Sequence, residues 1–311
     1  MKALLIGLAG LLIATPAAVA QPGPMAPPPP PPPIDDLSDE FDAAPLKGWS
    51  WFHEAEGFPN KVLASGIKDG VLTIVPNSSG WFEDYQGPYL FKTVSGNFDV
   101  RARVKVTGRA GEEPTATWSL AGIMVREPKT TRVIDWKPRH ENWLFLTTGV
   151  AVPLDQRVFE TKSTTNSGSN LKLRHARGGW VEMRIVRLRG AFFLMTRYDG
   201  EDWVIRDRFY RPRTPEVLQV GLNVYSDGDT SGSEYPDAAV QNATVINGKP
   251  DVVLHADWIR FTRPKSDPTQ TQALARALGM AGVKPLPYLT LGHRMTDSDV
   301  ADATILDYVG R

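Results

Sequence analysis

The sequence predicts an all-β chain, a two-sheet antiparallel jelly-roll sandwich with a short C-terminal helical tail. Three observations carry that prediction. Apolar and polar residues alternate with a period of two through most of the chain, as they do in half-buried strands. Glycine and proline, at 27 and 26 residues, separate those runs at the spacing of strand-connecting turns. The stretch from Gly178 to Tyr210 reads as a three-stranded meander with Asp199-Gly200 as a hairpin turn. Its middle strand, from Ala191 to Tyr198, is apolar on both faces, so a further layer must cover it. In the first strand Val181, Met183 and Ile185 share one phase, and Val186 and Leu188 take the other. A one-residue slip of this kind predicts a β-bulge at Ile185-Val186.

The composition narrows the function. The 311 residues carry 35 basic and 35 acidic side chains, which gives no electrostatic basis for a nucleic-acid or anionic-membrane partner. The absence of cysteine excludes a disulfide, a thiolate metal site, a cysteine nucleophile and a lipid-modified cysteine anchor. Residues 1–20 read as an export signal, with Lys2, an apolar core from Ala3 to Ala14, and Ala18-Val19-Ala20 as cleavage site. That core is too short to span a bilayer, and no later run approaches about 20 apolar residues. The expected product is periplasmic or secreted after cleavage near Ala20, and not membrane-spanning.

In chain order, residues 21–33 form a proline-rich linker whose seven consecutive prolines favour a stiff polyproline II spacer. The sandwich is expected over 34–265. Predicted strands fall at 61–65, 71–75, 98–107, 118–126, 132–136, 142–148, 170–175, 180–189, 191–198, 203–209, 216–225 and 252–261. The clearest is 98–107, where Phe98, Val100, Ala102, Val104 and Val106 face one way and Asp99, Arg101, Arg103, Lys105 and Thr107 the other. The tail spans 266–311. A first helix over 269–283 aligns Leu274, Ala277, Leu278 and Ala281. A second opens at Thr296-Asp-Ser-Asp299 as N-cap, with Val300, Ala303, Leu306 and Val309 on one stripe. Both are expected to pack on the sandwich or on each other.

Several segments carry a family resemblance. Phe98-Asp-Val-Arg-Ala-Arg-Val104, Ala121-Gly-Ile-Met-Val-Arg126, the Trp180 to Trp203 meander, Val220-Gly-Leu-Asn-Val-Tyr225 and Ala256-Asp-Trp-Ile-Arg-Phe261 occur in that order. Together they resemble the concanavalin A-like lectin/glucanase superfamily. Within it they are most similar to bacterial jelly-roll modules related to regulation-of-enolase proteins and to the C-terminal sandwich of some β-xylosidases. The resemblance covers roughly residues 36 to 263 and implies the fold.

Catalytic motifs of that superfamily do not match. Retaining glucanases place Glu-x-Asp-x-x-Glu or Glu-x-Asp-x-Glu on one strand, setting two carboxyls about 5 Å apart. Here Glu112-Glu113 precedes a proline, and Asp297 and Asp299 sit at a helix start. The clustered histidine, tyrosine and lysine strands of polysaccharide lyases, a Gly-x-Ser-x-Gly elbow and histidine metal spacing do not occur either.

Sugar recognition needs flat aromatic faces edged by planar polar groups. One stretch offers Trp81, Glu83, Tyr85 and Tyr89, and another offers Trp136, His140 and Trp143. The competing reading is that these tryptophans plug the core, the reading preferred for Trp180, Trp203 and Trp258. Asp227, Asp229, Glu234 and Asp237 alternate in the most acidic loop, a candidate Ca²⁺ site that departs from the EF-hand pattern. The resemblance implies a second candidate, a calcium joining the terminal strands through Asp39 or Asp42 with Asp257.

The expected function is therefore an exported, non-catalytic domain that binds a polysaccharide or cell-wall glycan. Two alternatives stand beside it. One is a glycoside hydrolase or lyase with a dispersed active site. The other is an envelope protein that docks a partner through its helical tail.

Overall fold

Alternation in the segment 98–107 places its side chains as the pattern requires. Phe98, Val100, Ala102, Val104 and Val106 are at most 1% exposed, while Arg101, Arg103 and Lys105 are half-exposed on the other face. The computed structural model describes residues 31–130, 132–154, 156–264 and 301–311. Among them the strands form two antiparallel seven-stranded sheets.

The back sheet runs β12 (Val204–Tyr210), β11 (Ala191–Arg197), β10 (Val181–Leu188), β5 (Phe98–Thr107), β14 (Val253–Thr262), β3 (Val71–Pro76) and β2 (Val62–Lys68). The front sheet runs β1 (Ser50–Trp51), β4 (Tyr89–Ser95), β13 (Val217–Tyr225), β6 (Ser119–Arg126), β7 (Trp143–Val150), β8 (Arg157–Thr165) and β9 (Gly168–His175). Between the sheets lies the main core. Ile74, Val100, Met183, Leu194 and Phe261 come from the back, and Leu90, Ile123, Leu146, Phe159 and Leu222 from the front. Full burial of each such side chain contributes about 1.5–3 kcal/mol, which suits a chain stapled by no disulfide.

The apolar character of β11 on both faces finds two partners. Phe192 and Leu194 enter the main core. Phe193 and Met195 point outward and meet α3 (Asp302–Val309), which buries Ile305, Leu306, Tyr308 and Val309 against Val186, Leu188, Trp203 and Ile205. The same helix explains the phase change in β10. Pairing runs unbroken through Met183↔Thr196, Ile185↔Leu194 and Val186↔Phe193, so no bulge lies at Ile185-Val186. Val186 and Leu188 are apolar because the outer face there is covered, and the strand itself stays in register. Irregularities fall instead at Leu194/Met195, Ala256/Trp258 and Val62/Ala64.

Polar contacts hold α3 at both ends. Arg208 pairs with Asp302 in its first turn. Arg184, buried on the same outer face, binds Asp99 at 2.7 and 2.9 Å and donates to the Val309 and Gly310 carbonyls at 2.7 and 2.5 Å. These are carbonyls that a helix end leaves without intrahelical donors. The stripe is turned relative to the predicted one, because Ala303 is exposed while Ile305 and Tyr308 are buried. The predicted N-cap at Thr296 to Asp299 and the helix predicted over 269–283 lie outside the described residues.

Two other strand predictions change. Arg132 to Trp136 forms a turn closed by Asp135 N–H donating to the Arg132 carbonyl at 3.0 Å, and Ile134 is 93% exposed. The segment 157–165, absent from the predicted strands, is the fully paired strand β8.

Covering the outer face makes α3 part of the stability of the sandwich. Ile305→Ala should lower the unfolding free energy by ~2–5 kcal/mol in urea titrations, as other large-to-small core changes do. Removal of residues 301–311 should cost more and raise dye binding to exposed apolar surface. A truncated chain with an unchanged midpoint would show that β10 to β12 do not need the helix.

Candidate binding site on the front sheet

The outer face of the front sheet is also apolar. Trp81, Tyr89, Phe91, Met124, Trp143, Phe145 and Tyr225 form one layer there with Phe52 and Phe58 of α1 (Phe52–Glu56) and its following turn. Trp81 stands edge-on to Trp143 and Tyr89, at 5.9 and 6.2 Å between centroids, and Trp143 stacks on Phe145 at 5.2 Å. The Tyr89 hydroxyl donates to the Met124 carbonyl at 3.0 Å.

Two connections roof this layer. The first, residues 77–88, is tied to the sheet by a bridge between Ser79 and Ser226. The second, residues 226–252, contains α2 (Ala238–Asn242). They hold each other through Tyr85 O–H to the Pro236 carbonyl at 2.9 Å, Gln86 N–H to Asn242 Oδ1 at 3.0 Å, and Asn242 Nδ2 to the Asp84 carbonyl at 2.9 Å.

Arg126 anchors the arrangement from below. Wholly buried, it donates to both oxygens of Glu56 in α1 and both of Glu141, and its guanidinium lies 4.7 Å from the Phe52 ring. Burial alone would lower its pKa, but the two carboxylates more than reverse that and raise it. Nearby Lys61 donates to the Gln86 carbonyl at 2.8 Å, and burial lowers its pKa to about 7.

Where the roof ends, a pocket of about 240 Å³ opens. Trp81, Phe82, Tyr85, Trp118 and Tyr225 wall it, Lys162 lies at its floor, and Gly80, Gly228, Ser231 and Gly232 form part of the rim. The Lys162 ammonium donates to the Trp81 carbonyl at 2.8 Å, sits 2.8 Å from Glu160 Oε1, and lies 5.1–5.8 Å from the rings of Phe82, Trp118, Phe145 and Tyr225. Such distances suit cation–π attraction. Tyr225 O–H donates to Glu160 Oε2. Burial first, and then the Glu160 charge, push the Tyr225 phenol well above its ordinary range. Glycine is required at 228, because a Cβ there would stand 2.6 Å from Trp118 Cδ1.

The structure brings the two predicted aromatic stretches together, through Asp84 rather than through an open aromatic face. Asp84 accepts from Arg139 N–H at 2.9 and 3.1 Å and from Ser167 Oγ at 2.5 Å. Trp81 and Tyr85 reach the pocket. Tyr89 and Trp143, at 0% and 1% exposed, belong to the packed layer, and Trp136 is half-buried against it. Glu83 and His140 are exposed. Sequence reasoning missed Trp118, Glu160, Lys162 and Tyr225. Reading Val158, Glu160, Lys162 and Thr164 as alternate residues of a strand would have found the ion pair on one face.

The calcium candidates take other roles. Asp227 accepts from Ser78 Oγ at 2.6 Å and Lys249 N–H at 2.7 Å, and Asp237 caps α2 through Ala239 and Val240 N–H. Asp229 and Glu234 are exposed. Asp39 accepts from Trp49 Nε1 at 2.8 Å, while Asp257 pairs with Arg103 at 2.9 Å. Among the described residues no three acidic or histidine side chains gather closely enough to hold a metal. Of the tryptophans read as core, Trp203 is buried beneath α3. Trp180 and Trp258 are half-buried on the back sheet's outer side, facing Arg103 and Arg260.

Two measurements test this layout. Trp81→Ala and Trp143→Ala should each cost ~3–5 kcal/mol of stability, the range for buried large aromatics. His140→Ala and Glu83→Ala should stay within about 0.5 kcal/mol in the same urea titrations. For Lys61, the unfolded chain keeps a proton up to about pH 10.4 that the folded chain releases near 7, so stability should rise with pH between those values. Lys61→Met should flatten that rise, and an unchanged slope would show that Lys61 is not its source.

Comparison with known proteins places the architecture. No protein-family model matches the chain, and no curated protein matches it significantly. Among solved structures, a variant of the GH43 protein BlXynB from Bacillus licheniformis superposes with a TM-score of 0.51 at 12% identity. The match covers 74% of this chain but only 40% of that one. A functionally unknown protein from Saccharomyces cerevisiae gives 0.48 at 16% identity, over 71% and 99% of the two chains. A prokaryotic β-1,3-1,4-glucanase (lichenase) derived from a mouse hindgut metagenome gives 0.43 at 14%, over 73% and 97%. The likeness to the Bacillus licheniformis structure shows a shared fold, an all-β jelly-roll sandwich of two antiparallel sheets.

Proposed function

We propose that this chain is an exported, non-catalytic carbohydrate-binding protein that takes a polysaccharide or cell-wall glycan in the front-sheet pocket. The observation that carries the reading is the pocket itself, with Phe82 and Trp118 beside the Lys162 donor. Aromatic faces accept the C–H faces of a sugar ring, and a fixed donor orients a hydroxyl. The glycoside hydrolases and glucanases among the structural neighbours support a carbohydrate context. Export rests on residues 1–20, which read as a signal segment.

Binding is favoured over catalysis by the titratable groups. Glycoside hydrolysis needs two carboxyls flanking one bond. Among the described residues lining the pocket there is no carboxylate, and Glu160 behind it already accepts from Tyr225. With its phenol held protonated, Tyr225 is a poor general base near neutral pH. Within the described part of the tail, the apolar side chains of α3 are spent on its own sheet.

A glycan array with the intact protein, paired with a reducing-sugar release assay, tests the reading. Binding without release is expected, and steady release of reducing ends would establish an enzyme instead. Trp118→Ala should weaken binding by ~1–3 kcal/mol, as loss of an aromatic anchor does, with the melting curve little changed. Undiminished affinity in that variant would move the site elsewhere.

A further inference from the structure

Charge and size at the pocket narrow the sugar it would take, an inference that rests on the binding reading above. Lys162 and Glu160 stand 2.8 Å apart with side chains 2% and 0% exposed. The pair is electrically balanced before any ligand arrives. A ligand carboxylate brought between aromatic walls would meet a cation already neutralised, and burying an uncompensated charge is costly. A sugar hydroxyl meets a different situation. An ammonium has three donors. One reaches the Trp81 carbonyl and another is directed at Glu160, while the third has no oxygen partner among the described residues. The nitrogen also lies 5.4 Å from the Phe82 ring and 5.8 Å from Trp118, the aromatic walls against which a ring would rest.

Size adds a second restriction. The cavity of about 240 Å³ is smaller than the roughly 300–1,000 Å³ of sites for drug-sized ligands. A cavity of that size suits a ligand of about one sugar ring. Connections 77–88 and 226–252, bonded to each other, bound it on two sides.

We propose that the pocket takes one neutral pyranose unit, at a chain end or on a side branch. Its C–H face rests on Trp118 and Phe82, and one hydroxyl accepts from the Lys162 ammonium.

Tryptophan-fluorescence and calorimetric titrations of the intact protein would use methyl glycosides of glucose, xylose, galactose and mannose, methyl glucuronide, and oligomers of the best binder. A neutral glycoside should bind at least about tenfold more tightly than its uronide, a gap of about 1.4 kcal/mol. Affinity should change by less than about threefold from monomer to tetramer. A uronide that binds as well as its neutral counterpart, or affinity that climbs with every added unit, overturns the proposal.

Lys162→Met alone would strand the buried Glu160 charge, so the informative variant combines it with Glu160→Gln. If that protein melts as a folded chain, neutral-glycoside affinity should fall about tenfold or more. Undiminished affinity in both it and Trp118→Ala removes this pocket and leaves the binding function standing. If neither the glycosides nor an array of glycans binds at all, the binding reading itself falls.

Discussion

Each sheet of this sandwich carries an apolar stretch on the side that faces away from the main core, and such a stretch needs a cover of its own. The back sheet presents Val186, Leu188, Phe193 and Met195 outward, and α3 closes over them. The front sheet presents Tyr89, Met124, Trp143, Phe145 and Tyr225 outward, and α1 with two long connections closes over those. Hydrophobic burial drives both closures, yet a buried arginine fixes the place of each. Arg184 holds the carbonyl end of α3 to Asp99, and Arg126 holds α1 to Glu141. A guanidinium can satisfy several acceptors in fixed directions, so each pins an otherwise non-directional contact.

The two covers differ in completeness, and the pocket follows from that difference. On the back sheet a helix presents a continuous apolar stripe. On the front sheet the roof is built of irregular chain whose backbone polar groups need partners, so its two connections spend their hydrogen bonds on each other. What remains unroofed is the ground between β13 and β9, where Tyr225, Lys162 and Leu171 lie. A buried lysine there needs Glu160 beside it, because either charge alone in that layer would be destabilising by several kcal/mol.

Much of the fold was legible because alternation reports directly on which side is buried. Segment 98–107 has one covered face and a clean pattern. β10 misled where both of its faces are covered, since period two disappears when neither side meets water, and a covered face then looks like a bulge. β8 was illegible for the opposite reason. Its inward Thr161 and outward Glu160, Lys162 and Thr164 are polar on both sides, and only the tertiary ion pair makes them buried. The aromatic stretches announced a cluster, but local composition cannot separate a ring that packs from one that faces a cavity. Trp81 and Trp143 differ from Trp118 in how fully other rings enclose them, and several of those rings come from distant parts of the chain.

Three of the non-glycine residues with positive φ stand at the same place. Trp118, Glu83 and Asp227 all hold positive φ, at 50°, 52° and 64°, and all stand in or beside the pocket's rim. A non-glycine residue in that region costs of order 1–3 kcal/mol and persists only when its surroundings over-determine it. They do so here. Glu83 N–H donates to Ser169 Oγ at 2.8 Å, and Asp227 is held by Ser78 and Lys249. Gly228 N–H donates to the Thr117 carbonyl at 3.0 Å, locking the residue before Trp118. These residues thus stand at the rim of a cavity where an ammonium donor lies beside two aromatic faces, the arrangement on which recognition of a sugar ring depends.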